Sequence, residues 1–212
     1  MPQYDRKDKF YQKAKKEGYP ARSAYKLIEM DQRFGIFKPG SRIVDLGCAP
    51  GGWLKVAEEN LVGAAPCGRP GQPHGVAPTN IIGIDLLPLQ YTPAPSTIFI
   101  QGNFLDPANQ QKIIETLNGK ADWILSDMSP NISGIKFKDL QASMELCQSA
   151  LEFAKEILRK GGGLIVKIFP GPEMGSFRKK LREAFERITT VEPEATRKTS
   201  TEIYLVCIGF KG

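Results

Sequence analysis

One histidine, His74, serves the whole 212-residue chain, and its four cysteines (Cys48, Cys67, Cys147, Cys207) stand far apart with no C-x-x-C pair. This scarcity excludes a recognisable Cys/His zinc centre and any triad that needs a histidine other than His74. Cys67 and His74 share a loop, but two ligands in a Gly/Pro-rich segment do not make a site, so no metal is expected. The dispersed cysteines read as free thiols in a reducing compartment. A run of about 18 apolar residues is also missing, so no membrane span is expected. The N-terminus lacks the apolar core of a signal peptide, and it mixes Asp and Glu with its lysines, unlike most transit peptides. The expected compartment is the cytoplasm, with the mitochondrion as the alternative if a transit peptide has been removed. No G-x-G-x-x-G opens a helix, which argues against a nicotinamide oxidoreductase.

What remains is a soluble composition, 41% hydrophobic and 25% charged, of a size that one α/β domain fills without a second core. The net charge is +6, and most of it is concentrated. Residues 1–26 hold Arg6, Lys7, Lys9, Lys13, Lys15, Lys16, Arg22 and Lys26 against Asp5, Asp8 and Glu17. A polyanion would meet this segment first, although a solvated lysine-rich helix has the same composition.

Along the chain, 5–17 reads as a short charged helix and 21–34 as a second one, with Ala24, Leu27 and Ile28 at helical spacing and Gly35 as its stop. A strand over 42–46 runs into Gly47-Cys-Ala-Pro-Gly51-Gly52, then a helix over 53–60. Residues 63–80 contain four glycines and four prolines, and read as a surface loop inserted before the second strand. Strands follow at 81–85, 97–101 and 123–127, with a helix over 107–117 that opens on Asp106-Pro107. A long helix over 139–159 stops at Gly161–Gly163, a strand covers 164–169, a basic helix 173–185, and two last strands 188–191 and 203–208. Alternating elements with continuous apolar strands imply a mostly parallel sheet covered on both faces.

Such sheets bind ligands at the carboxyl ends of their strands. Asp45, Asp85 and Asp127 fall there, and Lys167 lies toward the end of another strand. The Gly47-x-x-x-Gly51-Gly52 spacing, with Pro50 inside the turn, suits a nucleoside better than a pyrophosphate, and Asp85 suits two ribose hydroxyls. Lys167 sits inside Leu-Ile-Val-Lys-Ile-Phe. Its neighbours alone read equally as an edge strand whose lysine reaches out to water.

Five segments together carry a resemblance. Ala21-Arg-Ser-Ala-Tyr-Lys26-Leu27, the 45–53 turn, Ser126-Asp-Met-Ser-Pro-Asn131, Val166-Lys-Ile-Phe169 and Ser200-Thr-Glu-Ile-Tyr204 resemble, in order, the motifs of the FtsJ/RrmJ family of S-adenosylmethionine-dependent RNA ribose 2′-O-methyltransferases. The likeness runs from about residue 5 to the C-terminus. It implies the Rossmann-like class I methyltransferase fold, a seven-stranded sheet whose last strand is antiparallel, in a single domain over 1–212. It also implies a Lys26, Asp127, Lys167, Glu202 tetrad, and cofactor contacts at Gly51, Gly52, Trp53, Asp85 and Asp127. Asn103 stands where the bacterial rRNA enzyme has Asp in Q-G-D-F; its amide oxygen still accepts a hydrogen bond from an adenine amino group. The 63–80 insertion and the 192–198 segment resemble the mitochondrial branch. Ser126 to Gly134 is nearer the rRNA branch than the tRNA branch, which remains the alternative substrate.

The chemistry implied by the resemblance asks little of the protein. A sulfonium methyl is already activated, so the ribose hydroxyl must be aimed in line and relieved of its proton. A lysine accepts that proton only when neutral, and moving an amine from about 10.4 to near 7 takes about 4 kcal/mol. Burial and a second cation push that way, and two carboxylates oppose. Lys167 is assigned as the base, Asp127 orients it, and Lys26 and Glu202 position the ribose. RNA would arrive along the basic 1–34 segment through Arg6, Lys7, Lys9, Lys13, Lys15, Lys16 and Arg22. Arg178, Lys179, Lys180 and Arg182 either extend that groove or solvate a helix. Tyr4, Phe10 and Tyr11 either stack on bases or pack onto the domain. The expected partner is ribosomal RNA or the large ribosomal subunit, and the protein is expected to act as a monomer. The competing class is a non-catalytic RNA-binding assembly factor on the same fold, against which the intact tetrad argues.

Overall fold

Continuous apolar runs flanked by helices form the centre of the chain. The computed structural model describes residues 8–61, 81–131, 133–197 and 200–212. Seven strands are present among them: β1 (Ile43–Leu46), β2 (Ile81–Asp85), β3 (Thr97–Gln101), β4 (Ala121–Ser126), β5 (Leu158–Ile168), β6 (Phe185–Val191) and β7 (Ile203–Phe210). They lie in the order β3-β2-β1-β4-β5-β7-β6, parallel through β5, with β7 antiparallel to both β5 and β6. The helices are α1 (Lys9–Glu17), α2 (Ala24–Phe34), α3 (Gly52–Leu61), α4 (Pro107–Leu117), α5 (Lys136–Ile157) and α6 (Met174–Ala184).

Period-2 alternation along the strands divides the interior into two cores. Val44, Leu46, Ile124, Leu164, Val166 and Leu205 face the layer of α4, α5 and α6. Ile43, Leu125, Ile165, Val206 and Tyr204 face the layer of α2 and α3. By the same alternation Asp45 and Lys167 belong to the second face. A lysine inside an apolar run therefore does not mark an edge strand. β5 is interior, hydrogen-bonded to β4 on one side and to β7 on the other, with Lys167 opposite Tyr204.

Several boundaries differ from the sequence expectation, among them those of the long helix, β4, β5, β6, β7 and α2. The long helix ends at Ile157, not 159, and Gly161–Gly163 lies within β5, because Leu158 already pairs with Ala121 across a bulge in the β4–β5 ladder. Gly163 is needed for close packing: a Cβ there would sit 2.4 Å from the Trp123 ring. β6 starts three residues earlier than expected, where Phe185 opposes Phe210 and their rings meet at 5.5 Å. α2 begins at Ala24, after a turn in which Ala24 N–H donates to the Ala21 carbonyl. The 63–80 insertion, Tyr4, Arg6 and Lys7 lie outside the described residues. No described helix is long and apolar enough to cross a membrane.

Candidate active site

Helix α2 lies on the same face as Asp45 and Lys167, and its first turn carries Lys26. Ala24, Leu27 and Met30 are buried against the sheet, which fixes the helix and leaves Lys26 pointing along it. The ammonium of Lys26 is paired with Glu202, just before β7, and donates to Tyr204 Oη at 3.1 Å. Tyr204 donates in turn to Asp127 Oδ1 at 2.6 Å. Lys167 Nζ lies 3.1 Å from that same oxygen and donates to the Asp127 main-chain carbonyl at 2.5 Å. The result is one chain, Glu202–Lys26–Tyr204–Asp127–Lys167. Both lysines are only 8% exposed.

The electrostatics follow from this geometry. Burial pushes the Asp127 carboxyl up, but Lys167, Lys26 and the hydrogen bonds from Tyr204 and Lys167 outweigh it, so its pKa is lowered. Burial, the charges of Asp127 and Glu202 and the bond to Asp127 hold the Tyr204 hydroxyl well above its usual range. Tyr204 is therefore a fixed proton donor between two charged groups. It is present in the sequence motif, but nothing in its residue type distinguishes it from a core aromatic. Only the register that sets it opposite Lys167 does.

A second group lies beneath the glycine turn. Asp45 is 1% exposed, and among the described residues neither of its oxygens has a hydrogen-bond partner. Burial first, then the nearby charges of Asp127 and Asp85, raise its pKa well above the usual range. Asp85 Oδ2 accepts from Ala49 N–H at 2.9 Å and Oδ1 from Leu87 N–H at 2.8 Å, which ties the turn to the exit of β2. Gly51, at φ +113°, lies so close to Tyr91 that a Cβ would come within 2.3 Å of its ring. Asn103 is exposed, and its amide oxygen accepts from Leu105 N–H at 3.0 Å.

Trp53, Gly52 and Arg22 also make contacts within the fold. The Trp53 ring is 2% exposed, donates through Nε1 to the Ser23 carbonyl at 2.9 Å and packs 5.7 Å from Tyr204. The ring braces α2 and Tyr204. Gly52 is buried against Ala21 and Ser23. Arg22 pairs with Asp8 and donates to the Ala195 carbonyl, so it fastens α1 to the approach of β7 rather than facing outward. Lys9, Lys13, Lys15 and Lys16 are exposed on α1. Phe10 packs on Tyr25 at 5.6 Å, and Tyr11 stays exposed.

Beside Glu202 opens a cavity of about 390 Å³, lined by Pro170, Arg197, Thr201 and Glu202 among others. A carboxyl-end cleft, a glycine turn over a buried carboxylate and an antiparallel β7 define a Rossmann-like methyltransferase domain. The FtsJ-like methyltransferase family model matches residues 19–210, and the chain belongs to that family. Similar proteins include the Coxiella burnetii ribosomal RNA large subunit methyltransferase E, 44% identical over 97% of this chain and 92% of its own length. The Methanothermobacter thermautotrophicus protein of the same name is 36% identical over 98% of this chain and 92% of its own. A Plasmodium falciparum protein crystallised as a candidate ribosomal RNA methyltransferase superposes with a TM-score of 0.74 at 32% identity, over 92% of this chain and all of that one.

Proposed function

We propose that this protein methylates the 2′-hydroxyl of a ribose in large-subunit ribosomal RNA, at a uridine, with S-adenosylmethionine as donor. Lys26, Asp127, Lys167 and Glu202 form the catalytic group, and Lys167 is the base. The observation that carries this reading is the hydrogen-bonded chain from Glu202 to Lys167, set at the strand ends beside the unpartnered carboxylate of Asp45.

The residues fit the donor. When bound, S-adenosylmethionine supplies a methyl group activated by a positive sulfonium. A buried carboxylate with no partner calls for a cationic group, and the donor carries two. Asp85 accepts one backbone bond on each oxygen and keeps lone pairs for ribose hydroxyls. Asn103 keeps a lone pair on its amide oxygen for an adenine amino group. Gly51 lets the backbone come close.

The arrangement around Lys167 gives its role. A neutral amine has two N–H donors and one lone pair. Asp127 holds the Lys167 nitrogen through a hydrogen bond to its main-chain carbonyl and the Oδ1 contact at 3.1 Å, which leaves the lone pair of the amine form for the substrate. The target hydroxyl delivers its proton there. Glu202 lines the 390 Å³ cavity and Lys26 is paired with it, so the two hold the ribose, while Tyr204 keeps Lys26 and Asp127 apart by a fixed hydrogen bond to each. The exposed lysines of α1, Lys9, Lys13, Lys15 and Lys16, engage phosphates outside the site and supply affinity without sequence choice. The bacterial and archaeal sources of the relatives support a cytoplasmic setting.

The test is to incubate the protein with labelled S-adenosylmethionine and with ribosomal subunits or transfer RNA that lack the modification, then map 2′-O-methyl positions. One ribose-methylated nucleotide in large-subunit RNA is the expected result. Methyl groups on bases only, or on transfer RNA only, would contradict the reading.

A further inference from the structure

The loop that follows Asp127 ends in Gly134-Ile-Lys-Phe-Lys138, a segment with two apolar and two basic residues that the catalytic reading does not use. Phe137 is 72% exposed, more than any other large hydrophobic side chain among the described residues, and Ile135 beside it is 53% exposed. An isolated exposed apolar residue is ordinary, but an aromatic presented in this way at the rim of a polyanion's site has a use.

Three observations limit what that use is. First, the turn is built. Asp139, in the first turn of α5, accepts from Ser133 N–H at 2.8 Å, Ser133 Oγ at 2.7 Å and Gly134 N–H at 3.2 Å. The loop is folded onto the start of α5, and Phe137 is presented from the helix itself. Second, Lys136 and Lys138 precede and follow Phe137 in the chain and are exposed, and among the described residues neither has an ion-pair partner. Third, Phe137 lines a small apolar groove with Leu140, Met144, Phe169 and Pro172. Phe169 follows Lys167 by two residues, and Phe169 and Pro172 flank Pro170, which lines the cavity beside Glu202. The groove and the cavity thus lie on either side of one short loop.

We propose that Phe137, flanked by Lys136 and Lys138, is a stacking platform for an unpaired RNA base next to the methylated nucleotide. This rests on the RNA reading given above. An exposed aromatic ring with a lysine before and after it in the chain suits a base and its neighbouring phosphates, and stacking of this kind tolerates any base. The nucleotide in the cavity beside Glu202 and its neighbour on Phe137 are then separated by the Pro170 loop, which holds the strand splayed. A base inside a duplex already has both faces covered by its stacked neighbours, so the platform selects single-stranded or flipped-out RNA.

The experiment compares wild type, F137A, F137Y and K136A/K138A. Binding of fluorescein-labelled oligouridylate and of an RNA duplex is measured across a salt series, and methyl transfer to unmodified large subunits is measured alongside. F137A is expected to weaken oligouridylate binding about five- to hundredfold, with duplex binding and S-adenosylmethionine binding unchanged. F137Y restores it. K136A/K138A lowers the slope of log affinity for oligouridylate against log salt by about 0.7 for each phosphate that is no longer neutralised. F137A that binds oligouridylate within about twofold of wild type overturns the proposal, since removing a stacked base costs more than that. Sedimentation in which F137A turns a wild-type dimer into a monomer also overturns it, by assigning the face to a second copy. Wild type that transfers no methyl group would instead remove the function proposed above, whereas normal transfer with normal binding by F137A removes only the platform.

Discussion

Lys167 and Tyr204 stand directly opposite each other across β5 and β7 and meet on the same carboxylate oxygen of Asp127. Lys167 Nζ approaches that oxygen at 3.1 Å and the Tyr204 hydroxyl donates to it at 2.6 Å, so a single acid just past β4 is served from both β5 and β7. Through the same hydroxyl, Tyr204 accepts from Lys26. The two lysines of the site are thus coupled through a residue that carries no charge of its own.

Replacing that hydroxyl tests the coupling. Y204F removes a donor from Asp127 and an acceptor from Lys26, and is expected to cost about 1–3 kcal/mol of stability at neutral pH. The sign with pH follows from the lowered pKa of Asp127. A carboxylate whose folded pKa lies below its unfolded value, about 3.9, adds stability above that value and loses it as the pH falls through the folded pKa. Removing one of the groups that lower it shrinks this gain. The Y204F deficit in thermal melts is therefore full near neutrality and shrinks in strong acid.

Asp45 has the opposite sign. Its pKa is raised, so the unliganded protein loses stability as the pH climbs from about 3.9 toward the folded value. D45N removes that loss. Thermal melts should find D45N equal to or above wild type without cofactor, with the gap widening from acid to alkaline pH. Titration calorimetry should find weaker S-adenosylmethionine binding. D45N that binds the donor as wild type does would mean that Asp45 serves no cationic group.

How much of this is legible in the sequence depends on what carries the signal. Strand placement is legible because buried parallel strands are continuous apolar runs, and the carboxyl-end positions of Asp45, Asp85 and Asp127 follow. The face of Lys167 is not. A single lysine in an apolar run reads the same on an edge strand and on an interior strand roofed by another helix. Only the β4-β5-β7 order and the position of α2 distinguish the two. Gly161–Gly163 resembles a helix stop because glycine favours both helix ends and close packing, and the Trp123 ring that requires Gly163 lies in another strand. The burial of the Trp53 ring against Ser23 and Tyr204 is likewise not legible in the motif, because it depends on tertiary packing.

The N-terminal helix calls for a finer experiment than truncation. Deleting residues 1–17 would also remove the Asp8–Arg22 pair, the Phe10–Tyr25 packing and the Glu17–Tyr25 hydrogen bond, all of which support the turn that carries Lys26. Reversing the exposed charges in K9E/K15E/K16E leaves those interactions in place. This variant is expected to bind RNA more weakly, with a salt dependence lower by about 1 for each phosphate left without its lysine. Its S-adenosylmethionine affinity and melting temperature should match wild type.

The central claim is that Lys167 takes the proton from the ribose. Single-turnover methyl transfer by K167M, which keeps the side chain's length and apolar stem, is the direct measurement. A loss of about 10²–10⁴-fold in the chemical step, with unchanged S-adenosylmethionine and RNA affinity, is the expected result. Transfer by K167M at near the wild-type rate would contradict it.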